Sequence, residues 1–167
     1  MKAVILVRHA EAGPKDLPMP DKDRPLTASG KNGLERLKPA LLAQGINMDH
    51  VFSSSANRTA QTAAIYAAFY DMCDSISFHD ELYHPEAQAI VDFVKRRDDD
   101  LHTIAIVGHN PELEEAAHLL WEGRFDATVP TSACICLSFA VERWEDIQEN
   151  MGKMEYYEFP KKYEKEP

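Results

Sequence analysis

Ala3-Val4-Ile5-Leu6-Val7-Arg8-His9-Ala10-Glu11 is the stretch that decides the fold. Five consecutive apolar residues, three of them β-branched, fit a strand covered on both faces, as in a parallel sheet. The run stops at an arginine and a histidine, so polar chemistry begins where the strand ends. Thr103-Ile104-Ala105-Ile106-Val107 repeats the arrangement and leads into Gly108-His109-Asn110. A weaker run, His50-Val51-Phe52-Ser53, leads to Asn57-Arg58. Residues 134–141 read as a further strand and 154–159 as an edge strand, with a short apolar run at 76–78.

Helical patterns fill the intervals. One opens at Ser29 or Gly30, continues through Leu34, Leu37, Leu41 and Leu42, and closes at Gly45. Pro39 inside it predicts a kink, because proline lacks an N–H and crowds the preceding turn. Two more cover about 56–70 and 86–97, the latter turning Ile90, Val91, Phe93 and Val94 inward. Asn110-Pro111 predicts a helix start, with asparagine as N-cap and proline at the first helical position. Strands alternating with helices predict an α/β domain with helices on both faces of a mostly parallel sheet. No repeat or linker interrupts residues 1–167, which read as one domain, and the charged tail 161–167 reads as peripheral.

Composition narrows the partners. The 167 residues are 44% hydrophobic and 28% charged, an ordinary globular balance, with a formal net charge of −10. That sign disfavours nucleic acid and anionic membrane surfaces, which call for a basic face. Cys73, Cys134 and Cys136 cannot close a disulfide framework. Cys134 and Cys136 alternate along a strand and read as buried core thiols on one face. No second Cys or His pair gives them metal-ligand spacing, so no metal is expected. The apolar run before Arg8 is too short for a signal h-region or a membrane span, and a cytoplasmic protein is expected.

Ligand sites in open α/β sheets form outside the carboxyl ends of the strands. Arg8-His9, Gly108-His109 and Arg58 all follow such ends, so two histidines and two arginines can converge on one crevice. Their chemistry is coherent. A neutral imidazole attacks phosphorus to give a phosphohistidine that water later cleaves. Arginine forks match phosphate oxygens and stabilise the charge of a transferring phosphoryl group. Their positive charge also keeps both rings neutral at pH 7, and a helix N-terminus near Arg58 would add oriented N–H groups. His50, His79, His84, His102 and His118 show no such context and read as structural or surface residues.

These residues resemble the histidine phosphatase superfamily, whose fold is phosphoglycerate mutase-like. Val7-Arg8-His9-Ala10-Glu11 is similar to its Arg-His-Gly signature, with alanine in place of the usual glycine. Arg24-Pro25-Leu26-Thr27-Ala28-Ser29-Gly30 is similar to its Arg-Pro-Leu-Thr segment. The stretch from Ser53 through Arg58 to Gln61-Thr62 is similar to its arginine helix, and Val107-Gly108-His109-Asn110 to its second histidine motif. Order and spacing agree across most of residues 1–140, most closely with short SixA-type phosphohistidine phosphatases. The resemblance implies a three-layer α/β/α sandwich, His9 as nucleophile, and Arg8, Arg58 and His109 completing the phosphate pocket, with Arg24 also reaching the phosphate. It implies no metal or organic cofactor, and a monomer.

Larger relatives carry a glutamate general acid on a long insertion. Here only 51 positions separate Arg58 from His109, which leaves little room for such a lid. Glu81, just after the 76–78 run, is the candidate proton donor. An uncovered site with a weak acid favours a phosphohistidine displayed on another protein, because imidazole leaves more readily than an alkoxide. A small-molecule phosphomonoesterase and a catalytically silent phosphate-binding module are the alternatives.

Overall fold

In the computed structural model, which describes residues 1–164, the decisive stretch forms strand β1 (Lys2–Arg8) in the interior of a six-stranded sheet. The other strands are β2 (His50–Ser54), β3 (Ile76–His79), β4 (Thr103–Gly108), β5 (Cys134–Phe139) and β6 (Lys153–Glu158), in the order β3-β2-β4-β1-β5-β6. The first four strands pair in parallel, whereas β5 and β6 add antiparallel. β6 lies at one edge, as its sequence suggests, and the 76–78 run becomes the opposite edge.

Alternation along β1 divides the core. Val4 and Leu6 pack against α4 (Ala87–Lys95) and α5 (Glu112–Leu120), through Ile90, Phe93, Val94, Leu113 and Ala117. Ile5 and Val7 face α1 (Ala28–Arg36), α2 (Lys38–Ala43) and α3 (Asn57–Phe69), through Leu34, Leu41, Ala63 and Tyr66. The result is a three-layer α/β/α sandwich with a mostly parallel central sheet. Cys134 and Cys136 are buried in the second of these clusters, on the same face.

Several boundaries depart from the sequence pattern. The leucine-patterned segment is two helices rather than one kinked helix, broken at Leu37, with Pro39 in the first turn of α2. Proline tolerates a first turn, where no intrahelical N–H bond is lost. Gly45 ends the segment in a left-handed conformation, φ +67°. The cap of α1 is Thr27, whose hydroxyl accepts from the Gly30 N–H, so Ser29 and Gly30 are already inside the helix. At α5, Pro111 is the cap and helix begins at Glu112, while Asn110 Oδ1 still accepts from the Glu114 N–H at 3.2 Å.

The charged tail is peripheral only in part. A 3-10 turn at Pro160–Tyr163 packs against α1, and Glu164 lies 3.6 Å from Arg36; residues 165–167 of that tail lie outside the described residues. No helix among the described residues is long and apolar enough to cross a membrane.

Candidate active site

Strand register brings the two histidine motifs together. Arg8 on β1 is level with Gly108 on β4, and the His9 N–H donates to the Gly108 carbonyl at 3.1 Å. His9 and His109 therefore leave neighbouring parallel strands side by side, with ring centroids 5.5 Å apart. His9 Nδ1 lies 2.7 Å from the Ala10 carbonyl oxygen. A carbonyl only accepts, so Nδ1 carries the proton and Nε2 the lone pair. Burial, then the charges of Arg58, Arg8 and Arg24, lower the His9 pKa to about 4 although the Ala10 bond opposes them. The ring is neutral at pH 7 and keeps a lone pair on Nε2.

His109 is buried, with Nε2 2.8 Å from Ser54 Oγ. Burial first, and next the Arg58 charge, lower its pKa to about 2. Arg8 donates to the Val129 carbonyl at 2.7 Å, and Asn110 Nδ2 donates to the same oxygen at 3.2 Å. Arg58, in the first turn of α3, and Arg24, in the loop before α1, are both buried and reach the same cleft as Arg8 and His9. That cleft has a volume of 260 Å³. The Nε atoms of Arg8 and Arg58 and the Nδ1 of His109 are buried without a hydrogen-bond partner in the protein. The arginine forks that do face the cleft suit a polyvalent acceptor like phosphate. Among the described residues no group of three or more His, Cys, Asp or Glu side chains could hold a metal ion.

The remaining motif residues fix these groups from behind. Thr62 Oγ1 accepts from the Ala10 N–H at 2.9 Å and donates to the Arg58 carbonyl at 2.8 Å, tying the turn after His9 to the arginine helix. Gln61 Oε1 accepts from the Leu26 N–H at 2.7 Å, and Thr27 Oγ1 donates to Glu11 Oε1 at 2.7 Å. A Cβ on Gly30 would lie 2.3 Å from the Glu11 carbonyl oxygen, so only glycine permits this approach. Ala10 is fully buried in the core, and it is not among the described non-glycine residues with positive φ. The methyl that replaces glycine in the motif is thus accommodated without left-handed backbone.

Two sequence expectations need revision. Glu81 Oε2 pairs with Arg96 at 3.0 Å and opens onto a separate groove with Asp92 and Lys95, away from His9. His84, read as a structural or surface residue, instead lines the cleft and stacks on His109 with centroids 4.5 Å apart. Its Nε2 is 3.2 Å from Arg58 Nη2 and its Nδ1 3.5 Å from Glu112 Oε1. Sequence reasoning also missed Asp21. Its Oδ2 accepts from Tyr83 Oη at 2.6 Å and from Arg58 Nη2 at 3.1 Å, and its Oδ1 accepts from Arg24 Nε at 2.9 Å. The Tyr83 bond, then the arginines, hold this carboxyl far below the usual carboxylate range. No spacing marks Asp21, Tyr83 or His84, because loops rather than strand ends deliver them.

The family model described as the histidine phosphatase superfamily (branch 1) matches residues 4–83. An uncharacterized chloroplastic protein of Arabidopsis thaliana is 32% identical over 130 residues, which cover 71% of this chain. The match spans 59% of the length of that curated relative. In fold, the chain is similar to the protein histidine phosphatase SixA complexed with tungstate, at a TM-score of 0.81 and 19% identity over 97% of this chain and 99% of that one. It is likewise similar to SixA of Agrobacterium tumefaciens, at a TM-score of 0.75 and 24% identity over 83% and 92%.

Proposed function

Because residues 4–83 match the family model of the histidine phosphatase superfamily and the fold is shared with SixA structures, we propose that this chain hydrolyses a phosphoryl group through a phosphohistidine formed on His9. The observation that carries the reading is the state of His9: Nδ1 is committed to the Ala10 carbonyl, and the neutral ring shares its cleft with Arg8, Arg24 and Arg58.

In the first step His9 Nε2 bonds to phosphorus as the leaving group departs with its bonding pair. Arg8, Arg24 and Arg58 hold the phosphoryl oxygens, and His109 supports them as a neutral partner. In the second step water attacks phosphorus and the P–N bond returns its pair to Nε2. The Nδ1–H held by Ala10 makes His9 leave as a neutral imidazole rather than as an imidazolate.

The substrate we favour is a phosphohistidine on another protein. Glu81 is turned away from the cleft and paired with Arg96, so it is not poised to protonate an alkoxide, and Glu11 on the cleft wall accepts from Thr27. Asp21 cannot fill that role at neutral pH, since Tyr83 and the arginines keep it ionised. The cleft rim carries side chains that are 42% exposed, Asp21 and His84, so a displayed side chain can enter. The SixA structures that share the fold bear a phosphohistidine phosphatase description, in keeping with this choice.

The test compares phosphate release from a phosphohistidine-bearing protein with release from a panel of small phosphate esters, using His9→Ala as control. Preference for the phosphoprotein, lost in the variant, is expected. Preference for the esters would make this a small-molecule phosphomonoesterase, and phosphate binding without turnover on any substrate would make it a silent phosphate-binding module.

A further inference from the structure

The mechanism above leaves one proton without a destination, that of the attacking water. We infer that His84 takes it: His84 is the general base of the second step, and Glu112 is the residue that positions it. The inference rests on the phosphohistidine pathway proposed for His9.

The geometry fixes the tautomer. Arginine has no acceptor, so the 3.2 Å contact between Arg58 Nη2 and His84 Nε2 requires a lone pair on Nε2. The ring proton then sits on Nδ1, which faces Glu112 Oε1 at 3.5 Å. Glu112 Oε2 is buried with no hydrogen-bond partner, and this carboxylate stands on the first turn of α5, immediately after the His109 motif. A carboxylate behind a histidine whose far nitrogen keeps its lone pair is the arrangement that prepares an imidazole to accept a proton.

Placement supports the same role. His84 and His9 line one cleft, and each ring lies within 5.5 Å of the His109 ring. The groups facing His84 are Arg58 from α3, Asp21 from the loop before α1, Tyr83 beside it, and His109 and Glu112 from the segment after β4. Asp21 Oδ2 is 4.0 Å from Nε2, so a carboxylate also faces the nitrogen that would take the proton. His84 also has φ +48°, a conformation uncommon outside glycine and one that accumulates at functional sites.

The step balances. With the phosphoryl group on His9, the arginines turn toward its oxygens and His84 Nε2 is released from Arg58. The water oxygen forms a bond to phosphorus, its proton passes to His84 Nε2, and the P–N pair returns to His9. The resulting imidazolium gives up its proton to the leaving imidazole of the next substrate, or to solvent.

The experiment follows the phosphoenzyme by acid-labile radiolabel and phosphorus NMR after rapid mixing with a phosphohistidine protein or phosphoramidate. In His84→Gln the His9 phosphoenzyme should form and then accumulate, its hydrolysis slowed by about 100-fold or more. Added imidazole should restore hydrolysis in His84→Ala. Glu112→Gln should shift the pH profile of hydrolysis, which a merely structural role would not do. A phosphoenzyme on His9 that His84→Gln hydrolyses at the wild-type rate overturns the inference while leaving the His9 pathway intact. Turnover with no His9 phosphoenzyme in either protein overturns the pathway itself.

Discussion

Asp21 grips Arg58 at two points: Nη1 donates to the Asp21 main-chain carbonyl at 2.9 Å and Nη2 to Oδ2 at 3.1 Å. The carboxylate thus neutralises part of the charge that a phosphate would use, while the carbonyl holds the guanidinium in place. Asp21→Asn keeps the carbonyl contact and removes the charge that repels an anion. Inorganic phosphate should therefore bind about three- to tenfold more tightly, the order expected for one nearby like charge in a partly exposed site. Titration calorimetry would show it. Weaker binding would mean that the carboxylate serves mainly to orient Arg58.

His9→Ala should abolish turnover while phosphate binding partly survives, because the arginines remain. Arg58→Ala should lower turnover by about 100- to 1,000-fold, as for the loss of one preorganised oxyanion donor. Arg36→Ala is the comparison, since Arg36 lies on α1 beside Glu164 and away from the cleft. Its turnover should stay near wild type. Equal losses in the two arginine variants would remove Arg58 from the phosphate site.

The sequence makes half of this site legible, for a physical reason. A buried parallel strand announces itself by a continuous apolar run, and its carboxyl end is where ligands bind, so Arg8, His9 and His109 could be assigned before any coordinates. Arg58 follows the end of β2 in the same way, whereas Arg24 is marked by motif resemblance alone. Asp21 and His84 could not be found this way. Each sits in a loop whose path depends on packing elsewhere, including the buried Leu82, which anchors the chain between Glu81 and Tyr83. Glu81 and His84 are only three positions apart, yet the 3-10 turn at Asp80–Leu82 sends Glu81 to Arg96 and His84 to the cleft. Pro39 illustrates the same limit, because one kinked helix and two abutting helices share a leucine pattern.

Activity and stability should both respond to acid, over different ranges. His9 is held neutral down to about 4, so its nucleophilicity should disappear only as pH falls through that value. Stability begins to fall earlier. The unfolded chain protonates its histidines near 6.5, whereas folded His9 and His109 resist until about 4 and about 2. Below 6.5 the unfolded state therefore binds more protons and gains on the native state, by at most about 1.4 kcal/mol per pH unit for each ring. Denaturant unfolding at pH 7, 6 and 5 should show falling stability, with a shallower slope in His9→Gln. A flat profile would mean that the two rings protonate freely in the folded protein.

Thr62 has no contact with the reacting atoms in the proposed chemistry, yet its hydroxyl joins the two halves of the site. It accepts from the buried Ala10 N–H and donates to the Arg58 carbonyl, so one oxygen sets the distance between the nucleophile's turn and the arginine helix. Thr62→Val keeps the shape and β-branching but strands the Ala10 N–H in a water-free position. That should cost about 1–3 kcal/mol of stability, the penalty for an unsatisfied buried donor. Thr62→Ser retains the oxygen and should recover most of the loss. Turnover at a temperature where both variants are folded should follow the same order, because a turn freed from Thr62 no longer holds His9 against the arginines. Full activity in folded Thr62→Val would show that the Gly108 carbonyl, which also holds the His9 N–H, is sufficient to align the nucleophile.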